Sequence, residues 1–152
     1  MASADPSTAT GTTARSAGHS SPPSNLDQRF GRQDIYALRS AVAAHATRLG
    51  AGTTLAEDLV LIAHELASNV IRHGGGTGRL RLWQYDGVFY CEVSDAGSGF
   101  ADPDGAGRQR PPQGAPGGRG LWIVRQLSDH VDLRSGPGGT VVTVSLALDR
   151  ST

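Results

Sequence analysis

Val88-Phe89-Tyr90-Cys91-Glu92-Val93-Ser94 runs directly into Asp95-Ala96-Gly97-Ser98-Gly99. By the two-residue period of a strand, Phe89, Cys91, Val93 and Asp95 share one face, so an apolar row ends in a carboxylate. A carboxylate on a core face needs a donor, because burying it unpaired is expensive. A ligand amine, such as the exocyclic amine of adenine, supplies one; a turn cap supplies another, since Gly97 and Gly99 make a turn in any case. Those two glycines also let the backbone come close to a flat ring.

Working outward, Asp86-Gly87 joins this strand to a preceding one at Arg79 to Tyr85, a strong two-residue hairpin signal. Two helices come before the hairpin. The first spans Asp34 to Leu49, with Ile35, Leu38, Val42, Ala46 and Leu49 at helical spacing, Asp34 placed to cap and Gly50 placed to stop. The second runs from about Leu55 to His73 and ends at Gly74-Gly75-Gly76. At about 100° per residue, with Glu65 at zero, Asn69 falls near 40°, Ile62 near 60° and Leu66 near 100°. Asn69 therefore sits within the apolar stripe and Glu65 at its edge, and both need partners.

After Gly99, the stretch Phe100 to Gly120 has no usable period, and a structureless loop of that length inside a compact domain suggests function. A third helix, about Leu121 to Asp129, is opened by Gly117-Gly118-Arg119-Gly120, whose free N–H groups suit phosphate oxygens, with Arg119 adding charge; a hinge is the plainer reading of such a run. Strands at Val131 to Arg134 and Thr140 to Leu148 follow, separated by Ser135 to Gly139. Thr140 shares a face with Val142, Val144, Leu146 and Leu148, so a second core row ends in a polar group, although β-propensity alone also explains a threonine there. No strand is read between Asn25 and Gln33, where alternation is absent. The expected fold is α+β: a two-layer sandwich of a mixed, mostly antiparallel sheet covered on one face by about three helices.

Composition sets the limits. A chain of 152 residues suits one domain, and 14 basic against 14 acidic residues leave no electrostatic footprint for nucleic acid or an anionic membrane. Every basic residue is arginine, which excludes a Walker lysine, a Schiff-base lysine and a lysine general base. The single cysteine, Cys91, reads as strand packing in a reducing compartment. With no membrane-spanning run and no signal-peptide core, a soluble, cytoplasmic protein is expected. Residues 1–25, rich in Ser, Thr, Ala, Gly and Pro, read as a disordered tail before a domain at 26–150.

Several sharper motifs fail. His64-Glu65 begins a zinc-protease pattern, but Ser68 stands where the second histidine belongs. Ser98 lacks the flanking glycines of a nucleophile elbow, and the glycine clusters do not complete a dinucleotide fingerprint. Trp83 and Trp122 read as ordinary core or surface aromatics.

His64-Glu65-Leu66-Ala67-Ser68-Asn69-Val70-Ile71-Arg72-His73-Gly74 resembles the N box of the GHKL superfamily, the Bergerat-fold ATP-binding domain of gyrase, histidine kinases and mismatch-repair proteins. Asp95-Ala96-Gly97-Ser98-Gly99 resembles its first glycine box and Gly118-Arg119-Gly120-Leu121 its second, and the similarity spans roughly Asp34 to Leu148. The wording of the boxes is most similar to RsbW-like anti-sigma-factor serine kinases, which open with a strand before the first helix and usually carry alanine where Val70 stands.

The resemblance implies an ATP-dependent protein serine/threonine kinase with ATP and Mg2+ as cofactors. Glu65 would be its general base, and Asn69 would bind the magnesium that bridges the phosphates. Asp95 would accept from the adenine amine, helped by Thr140 through water, with Gly97 and Gly99 near the base. Gly118, Arg119, Gly120 and Leu121 would sit at the phosphates with Arg72 and His73 nearby, under a lid at 101–119. It also implies a sigma factor and an anti-sigma antagonist protein as partners, and it suggests a homodimer. Two alternatives stay open: a nucleotide-dependent interaction switch without significant transfer, and a detached histidine-kinase-like ATPase domain. His45 lies in an ordinary amphipathic helix, which argues against the last.

Overall fold

The structure, a computed structural model, describes residues 25–97, 99, 105–111 and 119–148. The expected tail at 1–24, Ser98, Gly118 and much of the expected lid lie outside the described residues. Five strands and three α-helices follow in the order β1 (Leu26–Phe30), α1 (Ile35–Arg48), α2 (Thr53–His73), β2 (Gly78–Tyr85), β3 (Val88–Asp95), α3 (Arg119–Leu127), β4 (His130–Gly136) and β5 (Gly139–Ala147). The sheet order is β1-β2-β3-β5-β4, and every pairing is antiparallel.

Local chemistry accounts for the connections. Asp86 and Gly87 both take positive φ, 52° and 78°, in a two-residue turn whose twist matches the strands it joins. Between β4 and β5 the ladder continues through Ser135↔Thr140 and Gly136↔Gly139, so only Pro137 and Gly138 remain as turn. Helix α1 stops at Gly50, φ 109°, where Gly50 N–H donates to Thr47 O (3.0 Å) and Ala51 N–H to Ala46 O (2.9 Å), a Schellman end closed by the buried Ala51. Asp34 does not cap α1 forward as expected. Its Oδ2 reaches back to accept from Gly31 N–H (2.8 Å), fixing a short 3-10 turn over Arg32–Asp34.

The strand β1 corrects the sequence reading, which found none before α1. Its inward row is Leu26, Gln28 and Phe30, so a glutamine interrupts the apolar alternation. What places this edge strand is its partner: Leu26↔Leu82 through Phe30↔Gly78 pair across to β2. A two-pronged contact from Arg79 (Nε 2.7 Å, Nη2 2.5 Å) to Asp27 crosses the outer face and holds the Asp27 carboxyl below its usual range. Both side chains are nearly half exposed, so the pair aligns the edge more than it stabilises it.

All three helices cover one face. Leu38 and Val42 of α1, Leu59, Ile62, Leu66 and Val70 of α2, and Leu121 and Val124 of α3 join a single core with Leu80, Leu82, Phe89, Cys91, Val93, Val142, Val144 and Leu146 of the sheet. The opposite face carries a polar ladder of Arg81, Glu92 and Thr143, beside Trp83 stacked on Tyr90 at 5.3 Å. The architecture is an α+β two-layer sandwich. Among the described residues no helix is long and apolar enough to cross a membrane.

Cys91 tests the core directly. Burial, with Glu92 adding a smaller push, raises its thiol from 9.0 to about 12. The folded protein keeps a proton that the unfolded chain releases near pH 9.0, so this contribution to stability is complete below that pH and lost as pH rises towards about 12. A thiol reagent at about pH 8 is expected to leave the native protein untouched and to label one cysteine once denaturant is added. Labelling without denaturant would place Cys91 outside the core.

Candidate functional site

Two rows of buried side chains converge at one end of the sheet. In the β3–β5 register Phe89 faces Leu146, Cys91 faces Val144, Val93 faces Val142 and Asp95 faces Thr140. The polar ends of both rows are therefore cross-strand neighbours, an arrangement that antiparallel pairing fixes once the apolar rows are buried.

Above them lies a cavity of about 540 Å³. Leu66, Asn69, Val70 and His73 of α2 form one wall, Val93, Asp95, Thr140 and Val142 form the floor, and Gly105, Ala106, Gly107 and Leu121 form the opposite wall. The size and the apolar lining with few polar groups suit a small organic ligand. Thr140, only 5% exposed, has its hydroxyl 2.8 Å from Ser135 Oγ. Asp95 Oδ1 accepts from Gly97 N–H at 2.7 Å, so the turn cap considered from sequence is present, and it orients the carboxylate at the cavity.

The glycines around Asp95 are there for close approach. A Cβ on Gly74, the residue ending α2, would fall 2.6 Å from Asp95 Oδ2, and a Cβ on Gly97 would fall 2.7 Å from the Gly74 backbone. Gly99, at φ 88°, lies against Gly136 O in the same way, with 2.6 Å to a Cβ. Helix end, strand end and hairpin turn thus interlock through backbone, which leaves the space above Asp95 open.

The sequence-derived residues divide into three groups. Asn69, His73, Asp95, Gly99, Leu121 and Thr140 line the cavity together. Gly97 supports it from below, and Arg72, exposed on α2, lies 3.4 Å from Asn69 Oδ1 through Nη2. Glu65 is elsewhere: it lines a second groove, about 660 Å³, between α1 and α2 with Arg39, Leu61 and His64. Its Oε1 approaches the start of α3, where a Cβ on Gly120 would fall 2.6 Å away, while Arg119 is exposed on the same first turn.

Sequence reasoning missed Gly74, Gly107 and Arg125. Gly74 reads from sequence as a helix stop and as the last residue of the N-box resemblance, not as a contact of Asp95. Gly107, φ 73°, lies against Leu121, and Arg125 Nε donates to Ala106 O at 2.7 Å; neither contact leaves a local signal, because each joins loop to helix across many residues. Among the described residues no cluster of three or more His, Cys, Asp or Glu could hold a metal ion.

A family model described as the histidine kinase-like ATPase domain matches residues 32–146. No curated protein matches this sequence. Among solved structures, the RsbU and RsbW domains of a Mycobacterium tuberculosis protein align with a TM-score of 0.62 at 19% identity, over 82% of this chain and 32% of that one. The SiaB-SiaC complex from Pseudomonas aeruginosa gives 0.56 at 14% identity, over 79% and 88%. A histidine kinase domain from the Erythrobacter litoralis blue-light activated histidine kinase gives 0.53 at 22%, over 74% and 66%. At these identities the likeness is one of fold, and the chain spans only about a third of the first of these structures.

The interlocked glycines give a direct test. In Gly97→Ala the added methyl meets backbone that cannot swing away, so a loss of about 2 kcal/mol in urea unfolding is expected. Gly138→Ala, with nothing within 4 Å, is expected to stay within about 0.5 kcal/mol of the parent. Equal stability of the two variants would remove the close packing of Gly97 on Gly74.

Proposed function

The chain belongs to the histidine kinase-like ATPase domain family, and from that premise we propose that it binds Mg-ATP in the cavity above Asp95 and Thr140 and acts as a protein serine kinase and anti-sigma factor. The observation that carries the nucleotide part is the pairing of Asp95 with Thr140 at the ends of two buried rows, facing Asn69 and His73 across the cavity. On this reading the domain occupies 26–150, with 101–119 as its lid.

The residues present fit the nucleotide. Asp95, already oriented by Gly97 N–H, offers its carboxylate to the adenine amine, and Thr140 holds a hydroxyl at the same edge. Leu66, Val70, Val93 and Val142 give the ring apolar walls. Asn69 supplies a side-chain oxygen one helical turn from His73, with the exposed Arg72 Nη2 3.4 Å from it. A single protein oxygen suits magnesium, which takes most of its ligands from phosphates and water. Bound Mg-ATP supplies a transferable phosphoryl group with its charge partly neutralised. Arg119, Gly120 and Leu121 bring the first N–H groups of α3 to the phosphate end, with Gly118 preceding them in sequence.

Glu65 would take the proton of an acceptor hydroxyl. Its place between the start of α3 and the open α1–α2 groove supports an acceptor that arrives from outside the nucleotide cavity. Serine as acceptor, an anti-sigma antagonist as the protein carrying it, a sigma factor as the sequestered partner, and a homodimer are supported by the resemblance of the boxes. The fold shared with an RsbW domain, and with SiaB in its complex with SiaC, fits a protein-binding role. One observation favours a second reading: Glu65 does not line the cavity, as a nucleotide-dependent switch without transfer would also allow.

Incubation with γ-labelled ATP, magnesium and a lysate of the source organism tests both readings. A labelled protein acceptor is expected, with transfer falling by about 100-fold or more in Glu65→Gln while ATP binding is retained. Asn69→Ala is expected to lose transfer and magnesium-dependent affinity together. Binding without any transfer selects the switch, whereas full ATP affinity in Asp95→Ala removes the pocket from both readings.

A further inference from the structure

The wall of the cavity opposite α2 is loop backbone, Gly105 to Gly107, tied to one helix at two points, with a third contact to the same helix three residues further on. Gly107, at φ 73°, lies so close to Leu121 that a Cβ would fall 2.8 Å from that residue's backbone carbon and from its Cγ. Arg125, one helical turn further along the same face of α3, donates from Nε to Ala106 O at 2.7 Å. Arg110 places its guanidinium 5.4 Å from the centre of the Trp122 ring, a cation–π distance. An isolated loop of this composition would have little reason to adopt one conformation, since Gly105, Ala106 and Gly107 bring almost no side chain to bury.

The geometry points to Arg125 as a positioning residue for the cavity's ligand: by holding the Ala106 carbonyl it makes residues 105–107 a fixed wall and sets how long the ligand stays. This rests on the reading of the cavity as a nucleotide site. The hydrogen bond is charge-assisted and partly buried, so it is stronger than an ordinary surface contact. Because the wall is tied to α3, whose first turn stands at the expected phosphate end, wall and helix move together. On this reading, loosening residues 105–107 takes release of the Arg125 bond together with the Gly107–Leu121 contact, or a shift of the whole helix.

The test uses the full chain with a fluorescent ATP analogue and magnesium, chased by excess ATP in a stopped-flow instrument. Arg125→Met, which keeps the aliphatic stem and removes the donors, is expected to release the analogue about tenfold faster with an unchanged association rate, in line with the loss of one hydrogen bond from a charged donor. Arg125→Lys, which keeps a donor, is expected to recover part of that difference. Urea unfolding midpoints separate release from folding, and hydrogen exchange at residues 105–110 in ligand-free protein reads the wall itself, which is expected to exchange faster in Arg125→Met. Release and exchange both unchanged in Arg125→Met, with wild-type binding intact, overturn the role of Arg125 alone. No analogue binding by the wild-type chain overturns the nucleotide reading and with it the retention role, whatever the exchange shows.

Discussion

The antiparallel pairing of β3 with β5 is the constraint on which the rest depends. Each strand presents four inward positions, three apolar and one polar, the polar one last in β3 and first in β5, and the antiparallel register sets Asp95 beside Thr140. A slip by one residue would turn Glu92 and Thr143 into the core and the whole apolar row out to solvent, so burial of Phe89, Cys91, Val93, Val142, Val144 and Leu146 holds the two polar ends together. The site's floor is in this sense a by-product of the core. No extra element has to position it, and the Asp95 carboxylate needs only the Gly97 N–H to choose its direction.

Helix α2 serves both layers at once. Its buried positions, Leu55, Leu59, Ile62, Ala63, Leu66, Ala67 and Val70, form a continuous stripe against the sheet and its neighbours. Asn69 is the half-buried polar member on one border of that stripe and Glu65 stands at its edge, and the packing of α1 and α3 against α2 separates them into two spaces: Asn69 faces the cavity, and Glu65 faces the α1–α2 groove. A residue at the edge of an apolar stripe can join either side, and the neighbouring helices decide which. Gly120, which admits the Glu65 carboxylate to the first turn of α3, is the point where the two spaces come nearest.

What the sequence made legible follows from this division. The helices, the two hairpins and the inward rows could be read because each is a local period backed by local punctuation: Asp86-Gly87, Gly50, and the glycines after His73. Asp95, Thr140 and Asn69 could be read because each is polar at a position the period assigns to the core. The strand β1 could not, since Gln28 breaks its row and its place comes from β2, some fifty residues away. The forward cap expected of Asp34 failed for a related reason: Gly31 N–H stood within reach of the same carboxylate. The side of α2 on which Glu65 ends up depends on helix packing, which no window of sequence contains.

The glycines make the same point from the opposite direction. As a composition they suggest looseness, yet Gly74, Gly97, Gly99 and Gly107 each sit where a methyl group would strike backbone or a packed side chain. They permit contact between segments that have no side chains to spend on it. The cost is that such contacts bury little apolar surface and contribute little stability of their own, so the segments they join stay in place only where something directional is added. At Asp95 that addition is the Gly97 N–H bond, and at the far wall it is the Arg125 bond to Ala106. The floor has a buried sheet behind it, whereas the far wall is held to the nine-residue α3 by the approach of Gly107 to Leu121 and the Arg125 bond, with Arg110 over Trp122 beside them, so the floor is fixed by the core and the far wall by its contacts with one helix.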